Sequence, residues 1–214
     1  MHNKIIVIEN FYKNPELIRN FALKSNYSSV AKLNYPGYQS DKEFDANGII
    51  EGFERIVGNK IEDPKGRFTF GGFRLITKNT GKVLKVHADT IIDWAGLVFL
   101  TPNAPLDSGL GIYKHRETGL IGPPTDEEAR QLGHEDASEF EMNVIRRDMD
   151  DLSKWELISF IGNKFNRLVL IKGCELYHAP MKGFGENPKN CRITQNFFFK
   201  ELVKSEPLSN MITI

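Results

Sequence analysis

Three short patterns in the sequence place side chains that can bind a metal and an organic acid. In Val83-Leu84-Lys85-Val86-His87-Ala88-Asp89, apolar and polar residues alternate. In an extended chain Leu84, Val86 and Ala88 face one way and Lys85, His87 and Asp89 the other, so an imidazole and a carboxylate project together. That is half of a metal site, and it wants one further His from a distant strand. His178 answers that need far along the chain, at the end of Cys174-Glu175-Leu176-Tyr177-His178 and close to Pro180. In Arg192-Ile193-Thr194 the Arg and Thr share one face, with Asn196 beyond them. A guanidinium holds a carboxylate through two parallel hydrogen bonds, and a neighbouring hydroxyl adds a third.

Each pattern alone has a plainer reading. H-x-D arises by chance, and a strand-end His bonded to a nearby Asp is the commoner case. His178 alone reads as a turn histidine, and Arg192 alone as an arginine on an edge strand, although Phe197 to Phe199 beside it speak against full solvation. Their order is more telling. Two His and one carboxylate on one face of iron leave positions open for a cosubstrate and dioxygen. A basic residue further in can anchor the cosubstrate's far carboxylate.

The elements that must position these residues follow from the pattern of the chain. Residues 4–8 read as a strand, and Asn14-Pro15-Glu16 supplies a cap, a proline suited to the first helical position and an acid in the first turn. Leu17, Ile18, Phe21 and Ala22 continue at helical spacing, so a helix is expected over about 15–24. Residues 26–65 show no clean period and read as loop with one short helix near 48–57. Segments rich in β-branched and aromatic residues follow at 67–77, 83–88, 95–101 and 110–114, and again at 166–172, 174–178 and 191–200. Between the two groups, 117–162 is polar and reads as an insertion, with one or two helices in Glu139–Leu157. The expectation is a single domain over 1–214, mainly β (α+β), with a double-stranded β-helix (jelly-roll, cupin-like) core, an N-terminal helix and a helical insertion.

Composition sets outer limits. Lys plus Arg and Asp plus Glu are both 28, so the net charge is zero and gives no electrostatic reason for tight nucleic-acid binding. No apolar run approaches the length of a membrane span, the start is too soon polar for a secretory signal, and two cysteines make no disulfide framework. The expectation is a cytoplasmic protein, without a membrane partner and with nucleic acid disfavoured. His115 and His134 are expected to face solvent from the insertion. The runs Thr125–Glu128 and Asp148–Asp151 are expected to be helix starts and solvated faces. Cys174 and His178 alone are a poor case for zinc.

Taken together, the patterns resemble the 2-oxoglutarate/Fe(II)-dependent oxygenases, especially the branch related to prolyl hydroxylases. Gly81 stands before His87 as in that branch's G-x5-H-x-D. Leu97–Leu100 and Asp107–Tyr113 look like its strand pair joined by an acidic, Gly-rich turn. Arg167–Ile171 resembles the strand leading to the distal His, and Arg192-Ile193-Thr194 resembles its R-x-S/T. The resemblance implies that His87, Asp89 and His178 bind Fe(II), that Arg192 and Thr194 bind 2-oxoglutarate, and that a small-molecule or peptide substrate is hydroxylated under a lid formed by 117–162, with 26–50 as a further candidate. The branch's cosubstrate-binding Tyr is replaced by Lys78, and Tyr113 is the candidate to take its role. Two rival readings are a cupin-type metalloenzyme without 2-oxoglutarate, and a non-catalytic β-sandwich binding module. The substrate and the oligomeric state are not legible.

Overall fold

The computed structural model describes residues 3–30, 36–44, 46–82 and 84–202. In chain order the elements are β1 (Ile5–Ile8), α1 (Pro15–Leu23), β2 (Tyr27–Ser29), β3 (Tyr38–Glu43), α2 (Ile49–Val57), β4 (Phe70–Ile76), β5 (Trp94–Phe99) and β6 (Leu110–His115). Then follow α3 (Asp126–Gln131), α4 (Ala137–Phe140), β7 (Trp155–Ile161), β8 (Leu168–Lys172), β9 (His178–Pro180) and β10 (Arg192–Phe199). Among the described residues, ten strands form two antiparallel sheets, one in the order β1-β8-β5-β10-β4-β3-β2 and one in the order β7-β6-β9. Two facing sheets with interleaved chain order are the expected double-stranded β-helix.

The large sheet is covered on both faces, and the period of two assigns each residue to one of them. On its outer face Val98, Leu168, Leu170, Ile193, Phe197 and Phe199 pack against Ile18 and Ala22 of α1 and Phe53 of α2. Phe53 is fully buried, with its ring centroid 4.9 Å from that of Phe197 and 5.2 Å from that of Phe199. The alternate residues Ala95, Leu97, Phe99, Val169 and Ile171 turn inward and meet Leu110 and Ile112 of the small sheet. Strands buried on both faces read as continuous apolar runs, which is why β5 and β8 stand out in the sequence. By the same parity Arg192, Thr194, Asn196 and Phe198 of β10 all point inward.

Several expectations are corrected. Asn14 makes no side-chain cap to α1, whose start is set by Pro15. The stretch 26–65 contains β2 and β3 as well as the expected helix; β3 is polar and was hidden because its pairing with β4 is long-range. Residues 31–35 and 45 of that stretch lie outside the described residues, as does Val83. Residues 84–88 form no strand: His87 makes a single antiparallel bridge to His178. The stretch 174–178 is not a strand either; Gly173–Glu175 is a 3-10 turn and His178 opens β9. Strands β5 and β6 do not pair but lie in opposite sheets. The insertion closes earlier than expected, since β7 occupies its last residues and pairs with β6.

Helices α3 and α4, with a π-helical turn Glu141–Ile145 after α4, pack Ala129, Phe140, Val144 and Ile145 onto Tyr113, Trp155 and Tyr177. Thr125 and Glu128 form a capping box at α3, so that acidic run is a helix start as expected. Among the described residues no helix is long and apolar enough to cross a membrane.

Candidate metal centre

His87, Asp89 and His178 meet at one end of the space between the sheets, with ligand atoms of all three within 4.8 Å of one another. His87 Nε2 is 3.9 Å from Asp89 Oδ1, and His178 Nε2 is 3.6 Å from Asp89 Oδ2. The backbone fixes this meeting. His87 N donates to His178 O at 3.1 Å and His178 N to His87 O at 2.8 Å, so the two residues face each other across the bridge. Asp89 N donates to Gly173 O at 2.9 Å, which anchors the third.

Both imidazoles are oriented from behind. His87 Nδ1 lies 2.9 Å from Lys85 O, and His178 Nδ1 lies 2.9 Å from Leu176 O. A carbonyl only accepts, so Nδ1 of each ring carries a hydrogen, and a neutral ring held this way presents the Nε2 lone pair to the cluster, the arrangement seen behind metal-ligating histidines. Burial, and then the neighbouring His178, push the His87 pKa well below the usual imidazole value, against the opposing pull of Asp89. A neutral His87 at pH 7 is the form that ligates a metal.

The donor set fits a divalent cation. Asp89 Oδ2 is buried with no hydrogen-bond partner among the described residues. A buried carboxylate oxygen without a partner is costly unless an ion completes it. A Cβ at Gly173 would lie 2.0 Å from Asp89 Oδ2, so only glycine leaves room for the carboxylate there. Gly81, the glycine of the sequence motif, has a similar role at a distance: a Cβ there would lie 2.3 Å from Gly183 N, where two loops cross.

A cavity between the sheets is lined by His87, Asp89 and His178, by Ala95, Leu97, Leu110 and Ile171, and by Arg192, Thr194 and Arg74. Arg192 is 2% exposed. It donates through Nε to Ser108 O at 2.8 Å and through Nη2 to Gly109 O at 3.3 Å, and its head lies 5.4 Å from the Phe99 ring centroid. No described acid pairs with it. Burial, then the nearby Arg74, bring its pKa down to about 10, so it remains cationic at neutral pH. Thr194 donates from Oγ1 to Asn196 Oδ1 at 2.8 Å.

Of the residues singled out in the sequence, the fold brings His87, Asp89, His178, Arg192 and Thr194 to one cavity. It does not bring Tyr113 there: that ring packs with Trp155, Tyr177 and Val86 beneath the insertion. Lys78 is not among the lining residues either. His115 is fully buried, contrary to expectation, and faces Asp148 at 3.1 Å. Asp148 is likewise buried and not on a solvated face. Arg147 donates to Asp148 at 2.8 and 3.0 Å, so that cluster is an internally satisfied ion network. His134 is partly buried, 3.7 Å from Glu139. Sequence reading passed over Arg74 and Asn196 as site residues; the signal for Arg74 was a lone cation alternating with Gly72 and Ile76 in an apolar strand.

Fold and site define a double-stranded β-helix protein with a two-histidine, one-carboxylate cluster. Residues 1–199 match the "Family of unknown function (DUF6445)", and the chain belongs to that family. No curated protein matches the sequence. Among solved structures, a Trichoplax adhaerens prolyl hydroxylase in complex with a hypoxia inducible factor peptide is similar at 12% identity and a TM-score of 0.50, over 93% of this chain and 84% of that one. A Pseudomonas putida prolyl-4-hydroxylase has 11% identity and a TM-score of 0.48 over 94% of each chain. HygX from Streptomyces hygroscopicus, with nickel, 2-oxoglutarate and hygromycin B bound, has 12% identity and a TM-score of 0.49 over 94% of this chain and 84% of that one. At such identity the likeness to the Trichoplax structure is one of fold.

Proposed function

We propose that the protein is an Fe(II)- and 2-oxoglutarate-dependent dioxygenase that hydroxylates a small-molecule or peptide substrate with release of succinate and CO2. One observation carries the reading. A cluster of two histidines and a carboxylate shares one cavity with a buried guanidinium, Arg192. A metal alone needs the first feature; a dicarboxylate that reaches from metal to guanidinium needs both. The fold of the Trichoplax prolyl hydroxylase is consistent with this, as an analogy at the level of fold.

His87, Asp89 and His178 hold the iron. When bound, iron with 2-oxoglutarate and dioxygen supplies the oxidation of an unreactive C–H bond, and the protein supplies ligation and orientation. Arg192, fixed by Ser108 O, Gly109 O and the Phe99 ring, receives the distal carboxylate. Thr194 joins it by rotating its hydroxyl away from Asn196. The apolar walls, Ala95, Leu97, Leu110 and Ile171, keep water out and strengthen each charged contact inside. The helical insertion carrying α3 and α4, backed by Tyr177 beside His178, acts as part of the lid. Two free cysteines suit a reducing cytosol, and a neutral chain offers no basis for nucleic-acid partners.

The burial of Arg192 without a described acid favours this reading over a cupin-type metalloenzyme that uses no 2-oxoglutarate, and over a binding module with structural histidines. The test is succinate formation from 2-oxoglutarate with Fe(II) and oxygen. Wild type should turn 2-oxoglutarate over, Asp89→Ala should not, and Arg192→Ala should need far more cosubstrate. Turnover in both variants at the wild-type rate would refute the assignment.

A further inference from the structure

The metal cluster, the two arginines and Thr194 make up the polar lining of the cavity, except for Asn196. Asn196 is 7% exposed. Its Oδ1 accepts from Thr194 Oγ1 at 2.8 Å, and no described residue accepts from its Nδ2. A carboxamide carries its acceptor and its two donor hydrogens on separate arms. With Oδ1 turned to Thr194, the Nδ2 arm is turned away from it, and its hydrogens remain for a ligand.

The strand ladder fixes where that amide stands. Along the inner face of β10, Arg192, Thr194, Asn196 and Phe198 follow one another at the period of two. In the ladder Thr194 lies beside Phe99, Asn196 beside Leu97 and Phe198 beside Ala95. Strand β8 continues these rows, with Val169 beside Leu97 and Ile171 beside Ala95. Asp89 is held past the Phe198 row, because its N donates at 2.9 Å to the carbonyl of Gly173, which follows Lys172 at the end of β8. Arg192 precedes the Thr194 row. Asn196 therefore occupies a row between the guanidinium and the carboxylate of the metal cluster, and its neighbours in that row, Leu97 and Val169, are apolar and buried.

Building on the oxygenase reading, we propose that Asn196 is a cosubstrate-binding residue whose Nδ2 donates to the oxoacid end of 2-oxoglutarate, the end that meets the metal, while Arg192 takes the far carboxylate. The two residues then hold the cosubstrate from one strand, at two points along its length. Turning the Thr194 hydroxyl to the far carboxylate frees Asn196 Oδ1, and the new bond from Nδ2 keeps the amide in place. A donor to an ionised acid between apolar walls is worth roughly tenfold in affinity.

The experiment reads the colour of the bound oxoacid and not turnover. Fe(II)-loaded wild type, Asn196→Leu, Asn196→Ser and Arg192→Ala are titrated anaerobically with 2-oxoglutarate, and the charge-transfer band is recorded at saturation. The transition moves an electron from iron onto the oxoacid, and a donor at that acid stabilises it. Asn196→Leu, which keeps the shape and removes the donor, should therefore shift the band to higher energy and weaken 2-oxoglutarate roughly tenfold. Asn196→Ser, which keeps a shorter donor, should lie between the two. Arg192→Ala should weaken 2-oxoglutarate with its band where wild type has it. An unmoved band in Asn196→Leu overturns the proposal: with unchanged affinity Asn196 does not touch the cosubstrate, and with weakened affinity it serves the far carboxylate beside Arg192. Metal analysis controls for folding. If Asn196→Leu fails to hold iron, Asn196→Ser decides by the same shift, and iron lost from both overturns the proposal by making the amide a support of the metal cluster. Wild type that binds iron but gives no band instead refutes the oxygenase reading on which the inference stands.

Discussion

At the scale of single residues the account rests on groups whose burial makes sense only with a ligand. Asp89 Oδ2 has no hydrogen-bond partner among the described residues, and Gly173 leaves it the room it occupies. Gly173→Ala should therefore leave the fold intact but displace the carboxylate, and iron affinity should fall roughly ten- to a hundredfold, as when a supporting residue of a metal site is lost. Metal analysis after gel filtration reads this directly, and undiminished iron would refute the role given to Asp89. A different residue-scale prediction concerns stability. Hydrogen bonds from Arg147, and then His115, bring the Asp148 pKa down to about 2 from an ordinary 3.8. A carboxyl with a depressed folded pKa stabilises above its unfolded pKa and loses that stabilisation as pH falls through the folded one. The contribution should be present above about pH 4 and disappear toward pH 2, amounting to about 1–2 kcal/mol once screening of the exposed Arg147 is allowed for. Asp148→Asn should lower the denaturation midpoint at pH 7 and flatten its dependence between those pH values. The metal triad was legible in the sequence because H-x-D parity survives even though 84–88 is no strand. His115 and Asp148 were not, since two charged residues far apart in sequence give no sign that they bury each other.

At the scale of elements, legibility tracked burial. Strands β5 and β8 are covered on both faces and read as apolar runs, β10 was legible from its β-branched and aromatic residues, and α2 falls where one short helix was expected near 48–57. Strand β3 is polar and β7 leaves Leu157, Ile158 and Phe160 exposed, so neither shows the alternation of a half-buried strand. Only their long-range pairing with β4 and β6 makes them strands. The start of α3 was legible as the acidic run Thr125–Glu128, and the fold adds a capping box between Thr125 and Glu128. Thr125→Ala should cost about 1 kcal/mol locally. Hydrogen exchange should then show faster opening of amides in 126–132, with the core strands unchanged. Equal exchange would mean that packing of Ala129, and not the cap, holds the helix.

At the scale of the whole molecule, two sheets face each other over a cavity that holds both the His87–Asp89–His178 cluster and the buried Arg192, and that pairing is the basis of the functional reading. It was legible in the sequence as the order of H-x-D, His and R-x-T; that Arg74 lines the same cavity was not, because β4 comes to lie beside β10 only in the fold. The most direct measurement is an anaerobic titration of Fe(II)-loaded protein with 2-oxoglutarate, monitored in the visible spectrum. The account predicts a metal-to-ligand charge-transfer band that saturates at one cosubstrate per chain, vanishes in His87→Ala, and requires far more 2-oxoglutarate in Arg192→Ala. Iron bound at His87, Asp89 and His178 with no such band at any 2-oxoglutarate concentration would contradict it.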